Sequence, residues 1–304
     1  MSFVLLDYRH KRTKHQERRT RFLRSVVITM KTLYLSDLDG TLLNSEQKIS
    51  AESCKILNSL IEKGVLFSYA TARSAVTSVK ATAGLTAKIP IIVYNGVFTI
   101  DSGTGERILS NMFSREEALW IYDVLLKHGI DPIVYSVIEG VEKFSYIDER
   151  CTVGMREFLE TRRNDVRERV AKSEDEMREG EIFYFTCIDD ANKLAPACEI
   201  LEKKFRCIFD KDIYSGNQWL EVLPKNATKA NAALELKKHF GCNRLVVFGD
   251  GANDIQMFEA ADECYAVANA SSCLKSIADG IIGSNNEDSV ARFILEDFVS
   301  QEKI

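Results

Sequence analysis

Asp37 and Asp39 stand one residue apart at the end of a short apolar run, in Leu33-Tyr34-Leu35-Ser36-Asp37-Leu38-Asp39-Gly40-Thr41. A later run, residues 245–248, also ends in acids, in Gly249-Asp250-Gly251-Ala252-Asn253-Asp254. Carboxylates attack electrophiles, pass protons and hold hard cations. At the carboxyl ends of strands in an open α/β sheet they stand at the mouth of a ligand site. Two further groups are placed alike: Thr71 follows the apolar run 65–70, and Lys229 follows Thr228, a candidate helix N-cap. Taken singly, each has a plainer use. Asp37 and Asp39 could cap a turn, Thr71 could end a strand, and Lys229 could be a solvated lysine in a first helical turn. Four such groups in order, with each acidic one at a strand end, read as one site.

The elements that must position them alternate. Residues 32–36 are short and apolar, and Ser50 should cap a helix with Ile56, Leu57, Leu60 and Ile61 on one face, ended by Gly64. Runs at 65–70, 91–94 and 245–248 follow, with two shorter ones at 265–268 and 281–282. Strands alternating with helices predict an α/β fold built on a doubly wound, Rossmann-like parallel sheet. The middle of the chain is more charged. Ser114 to Glu117 has capping-box form and should open a helix to about Lys127, with Gly129 near its end. Runs at 133–138 and 182–187 flank a charged stretch, 156–181, expected to be a solvated helical segment. A helix over 194–205 and strands at 208–209 and 219–223 complete a separate α+β module. The expected organisation is a basic extension at 1–29, a core of 30–112 with 222–304, and an inserted module at 113–221.

Asp37-Leu38-Asp39-Gly40-Thr41, Thr71-Ala72-Arg73, Lys229 and Gly249-Asp250-Gly251-Ala252-Asn253-Asp254, with Asn95-Gly96 and Asn269-Ala270, resemble the haloacid dehalogenase (HAD) superfamily in its Cof-type branch, subclass IIB. The resemblance covers about residues 31–295 and departs at Ala72, where the branch commonly has glycine. It implies a HAD-like core with an inserted C2 cap, and a Mg2+-dependent phosphatase acting on a small phosphorylated metabolite, a sugar phosphate first among the choices. Flavin, pyridoxal and nucleotide phosphates stay open. Asp37 would be the nucleophile, forming an aspartyl phosphate, and Asp39 the general acid and base. The metal would lie on Asp37, the Asp39 carbonyl and Asp250, with Asn253 or Asp254 close by. Thr71 and Lys229 would hold the phosphoryl oxygens, and Arg73, Asn95, Gly96 and Asn253 would join them in binding substrate. Within the cap, Arg156, Tyr184, Tyr214 and Trp219 are candidates for substrate contact and equally for packing or surface.

Other chemistries fit less well. The four histidines, His10, His15, His128 and His239, lie outside every motif, and the eight cysteines form no CxxC pair. The 249–254 segment lacks the third glycine of a dinucleotide fingerprint, and no GxxxxGK[ST] loop exists. The net charge of −5 offers no general attraction to nucleic acid or an anionic membrane, and no apolar run approaches the ~20 residues of a membrane span. The expected partner is small and the expected location cytoplasmic; the oligomeric state is open. The first thirty residues differ, with eight basic side chains against Asp7 and Glu17, and read as a disordered extension before a natural start at Met30, or as a tether. Two functional alternatives remain: phosphomutase-like transfer to a sugar hydroxyl, and a binding protein that keeps the fold without turnover.

Overall fold

The computed structural model describes residues 31–86, 90–211 and 216–301. The basic arm, with His10, His15 and Met30, and the cap candidate Tyr214 lie outside these residues.

Buried apolar runs become strands. β1 (Thr32–Ser36) and β2 (Leu66–Tyr69) pair in parallel across the intervening helix Ala51–Glu62. Ser50 caps this helix by accepting from the Ser53 amide at 2.9 Å, and Leu57, Leu60 and Ile61 turn inward. β3 (Ile91–Val93), β4 (Phe98–Ile100) and β5 (Arg107–Ser110) form a separate antiparallel sheet. The run 91–94 is therefore not a full strand of the parallel sheet, which it meets at one bridge, Ala70 to Ile92. Tyr94 and Asn95 take left-handed backbone, φ 51° and 55°, and turn the chain back as β4.

β6 (Ile133–Ile138), β7 (Val141–Tyr146), β8 (Glu168–Val170), β9 (Glu181–Ile188), β10 (Arg206–Lys211) and β11 (Gln218–Leu223) form a six-stranded sheet in the order β10-β11-β9-β6-β7-β8. Val134, Phe185, Leu220 and Val222 share a core with Ile121 and Leu125 of helix Arg115–Lys127 and Leu194 and Leu201 of helix Ala191–Leu201. Ile133, Tyr135 and Tyr184 instead belong to the cluster that holds Leu33 and Val246. The helix Arg115–Lys127 opens with the expected Ser114–Glu117 capping box. Last come β12 (Arg244–Gly249), β13 (Glu263–Ala266) and β14 (Gly280–Ile281), which complete the parallel sheet in the order β14-β13-β12-β1-β2. This is the expected α/β architecture. Because β1 and β12 are neighbours, with Ser36 opposite Phe248, the two acidic turns emerge side by side. No described helix is long and apolar enough to cross a membrane.

The charged stretch 156–181 is not one solvated helix. It holds the end of helix Val153–Glu160, β8 and the short helix Glu174–Met177. Its charge misleads because part of it is turned inward: Arg167, 5% exposed, bonds Glu142 and Asp165 at 2.6 Å each and the Tyr94 hydroxyl at 3.0 Å. Tyr94 in turn donates to Glu142. Replacing Arg167 with Met should cost about 3 kcal/mol, the lower end for a broken buried pair because both carboxylates keep some exposure. A urea titration should show a lower midpoint at unchanged slope; an unchanged midpoint would mean that the network carries no stability.

Candidate active site

The turn after β1 carries Asp37, Asp39 and Gly40. The Asp37 amide donates to the Phe248 carbonyl at 2.9 Å, which fixes the start of the turn against β12. Gly40 has φ 74°, and a Cβ there would collide with the Asp250 carboxylate. Glycine at this position lets the first acidic turn approach the second. Thr41 donates to Asp250 Oδ1 at 3.2 Å, and Asn269 donates to the Gly40 carbonyl at 2.7 Å.

Lys229 opens helix Lys229–His239, whose N-cap Thr228 accepts from the Asn231 amide at 3.0 Å. Its side chain is 1% exposed, and its ammonium lies 2.5 Å from Asp37 Oδ1 and 2.8 Å from Asp254 Oδ1. Asp254 Oδ2 accepts from the amides of Asp250 and Gly251, both at 3.2 Å. Asp254 is thus engaged through both oxygens, while Asp37 Oδ2 and Asp250 Oδ2 have no hydrogen bond among the described residues. Carboxylate oxygens of Asp37, Asp250 and Asp254 all lie within 4.8 Å of one another.

One ammonium cannot balance three carboxylates. Burial lifts Asp37 well above the usual carboxylate range; Lys229 opposes the shift, and Asp254 and Asp250 add to it. Burial and then Asp254 push Asp250 up to about 6. Burial disfavours the Lys229 ammonium, but Asp254 and Asp37 outweigh it and hold the amine above its ordinary range. A compact set of hard oxygens short of positive charge suits a small divalent cation.

This electrostatic account predicts a pH dependence in protein stripped of divalent ions by chelator. Asp250 has a folded value near 6 against an ordinary 3.8, so between these values the folded chain holds a proton that the unfolded chain has released. Its contribution to stability is complete below about pH 4 and lost as pH rises through about 6, a fall on the order of 3 kcal/mol. Denaturant titrations of wild type and Asp250→Asn should differ by this trend. Parallel pH profiles would refute it.

The remaining expected site residues fall close by, in different states. Thr71 is fully buried, and its hydroxyl accepts from the Arg73 amide at 3.1 Å. Asp39 is paired with a cation of its own: Arg73 grips it through both oxygens, at 2.8 and 2.6 Å, and also reaches Gln47 at 3.0 Å. Asn95 is 1% exposed, and its amide donates to the Thr71 carbonyl at 2.9 Å. Gly96, φ 98°, lies so close to the Thr228 backbone that a Cβ would overlap it. Asn253 is exposed in the turn Ala252–Asp254. In the six-stranded sheet and its flanking helix, Tyr184 is buried, Trp219 is partly buried and packs on Phe158, and Arg156 is an exposed partner of Asp148. Thr41 and Asn269 lie within motif stretches, yet their contacts to Asp250 and Gly40 depend on long-range juxtaposition that no local pattern marks.

The family described as haloacid dehalogenase-like hydrolases matches residues 34–294. This chain belongs to that family. The HAD chain is 30% identical over 282 residues to the 5-amino-6-(5-phospho-D-ribitylamino)uracil phosphatase YwtE of Bacillus subtilis, covering 85% of this chain and 95% of the relative. It is 24% identical over 274 residues to the phosphatase YitU of the same organism, named for the same substrate, covering 86% and 96%. Among solved structures, TM0651 of Thermotoga maritima aligns with a TM-score of 0.71 at 25% identity, over 88% of this chain and 97% of that one. The HAD chain is a hydrolase of phosphate esters, of the Cof type.

Proposed function

We propose that this hydrolase is a Mg2+-dependent phosphatase of a small sugar or sugar-alcohol phosphate, working through an aspartyl phosphate on Asp37. The observation that carries the reading is the Asp37–Asp250–Asp254 trio built around Lys229, with Asp37 Oδ2 and Asp250 Oδ2 left over by the hydrogen bonds among the described residues. Asp37, Asp250 and the Asp39 carbonyl would hold Mg2+, with Asn253 at the edge and Asp254 chiefly orienting Lys229 and the turn. The metal supplies charge neutralisation that lets one anion approach another.

Asp37 Oδ2 attacks phosphorus, and the bond from phosphorus to the ester oxygen breaks. Asp39 gives its proton to the departing alkoxide. Water then attacks the phosphorus of the aspartyl phosphate, Asp39 takes back a proton, and inorganic phosphate leaves with Asp37 restored. Thr71 and Lys229 bind the phosphoryl oxygens, with the Asn95–Gly96 loop beside them. Asp39 must leave its two-point bond with Arg73 before either proton transfer, so substrate would compete for that guanidinium. On this reading residues 113–221 are a cap over a core of 30–112 and 222–304.

The sugar-alcohol part of the proposal takes support from the two relatives named for a phosphoribityl substrate. The test is phosphate release from a panel holding that compound, sugar phosphates, nucleotides and cofactor phosphates, with Mg2+ or with chelator. Release from a polyol phosphate that needs Mg2+ is the expected result. No release from any compound would overturn hydrolysis in favour of transfer or binding.

A further inference from the structure

Arg206 belongs to no motif. It is the first residue of β10, opposite Leu223 of β11, and so sits in the six-stranded sheet rather than in the parallel one. Its Nη1 donates to two main-chain carbonyls at once, Asn95 at 3.2 Å and Ala227 at 2.7 Å. Among the described residues no carboxylate is paired with it. Burial lowers its basicity, with Tyr184 and Glu221 opposing the shift. Arg206 is partly buried; a partly buried cation without an ion-pair partner carries a desolvation cost, and a fold that needed only filling would serve better with an apolar side chain. A guanidinium does what an apolar group cannot: its planar donors fix two acceptors at a set separation.

The two carbonyls belong to the loops next to the acidic trio. Asn95 is tied to Thr71 by its amide, and Ala227 lies two residues before Lys229, which holds Asp37. The loops meet where Gly96 lies against Thr228, a contact too close for any Cβ. Tyr184 of β9 adds a second hold on Asn95, accepting from Nδ2 at 3.4 Å. Asn95 Oδ1 is buried and has no hydrogen-bond partner among the described residues, so the side-chain amide's orientation is not set by its own hydrogen bonds alone.

We propose that Arg206 is a positioning residue: from the antiparallel sheet it clamps the Asn95–Gly96 and Lys229 loops together and so sets the width of the phosphoryl site. This rests on the reading that those loops bind the phosphoryl group. The clamp makes grip on phosphate depend on where the six-stranded sheet sits, because one end of each bond belongs to that sheet.

The test uses the full chain with Mg2+, p-nitrophenyl phosphate as substrate and inorganic phosphate as inhibitor. Arg206→Ala should raise KM and the inhibition constant for phosphate together, by about tenfold or more, with a smaller change in kcat, since misplacement remote from the reacting atoms can cost up to about a hundredfold. Free guanidinium at low millimolar concentration should recover part of the lost affinity. Arg206→Lys keeps the charge without the fork and should weaken phosphate binding less than the alanine variant. It is also the informative variant if alanine prevents folding. Phosphate affinity of the folded lysine variant equal to wild type would overturn the clamp. So would an alanine variant whose activity falls only with its folded fraction and ignores guanidinium. Calorimetric binding of inorganic phosphate gives the same comparison without turnover. A wild type that binds phosphate but releases none from esters would thus strike at the hydrolytic reading and not at the clamp.

Discussion

Asp37→Asn should abolish phosphate release, by at least about 10⁴-fold, while leaving the protein folded. The amide has nearly the shape of the carboxylate, and its oxygen can still accept from Lys229, so the 2.5 Å contact has a substitute. What it lacks is a nucleophilic oxygen, and without one no aspartyl phosphate forms. Wild type quenched in acid during turnover should carry a phosphoryl group on the peptide that holds Asp37; the variant should carry none. Electrostatics makes a second forecast. Asp37 is lifted by burial and by repulsion from Asp254 and Asp250, so in chelator the neutral variant should melt no lower than wild type. Activity within about tenfold of wild type would show that another group attacks phosphorus. Lost activity with a lower melting point in chelator would instead make Asp37 a structural partner of Lys229.

Most of the fold could be read from the chain because its signals are local. Apolar runs that end in Asp, Thr or Gly mark β1, β2 and β12, and Ser50 and the Ser114–Glu117 box mark helix starts. Local signals failed where a tertiary contact decides the matter. The run at 91–94 has the composition of a core strand, but left-handed backbone at Tyr94 and Asn95 redirects it into another sheet. Charge at 156–181 suggested solvent, whereas Arg167 is buried between two carboxylates that come from Asp165 nearby and Glu142 far upstream. The site divides in the same way. Asp37, Lys229, Asp250 and Asp254 stand in recognisable motifs, and the structure brings their side chains together. The pairing of Asp39 with Arg73 and the clamp at Arg206 depend on which side chain of several reaches a partner, and composition does not encode that.

Replacing Lys229 with Met should damage stability and chemistry at once, and the two losses can be separated by metal. Methionine fills much of the lysine's volume but leaves Asp37 and Asp254 facing each other and Asp250 with no ammonium among them. In chelator the variant should lose about 3–5 kcal/mol, as when one partner of a buried ion pair is removed. The loss should shrink as pH falls toward about 6: without the ammonium, which holds it down, Asp250 takes up its proton at a higher pH than in wild type, and protonation relieves the repulsion that the ammonium had offset. Lysine titration does not enter, since Lys229 is held above its ordinary range and stays charged throughout neutral pH. Millimolar Mg2+ should return part of the stability, a divalent ion replacing a lost cation among the same oxygens, and the gain on adding it should exceed that of wild type. Activity should stay down by roughly 10²–10³-fold even when stability is restored, because the ammonium that would meet the phosphoryl oxygens is gone. Restoration of both by Mg2+ would reduce Lys229 to a charge balance. Recovery of stability alone separates a cation that holds the acids apart from one that also binds the phosphoryl group.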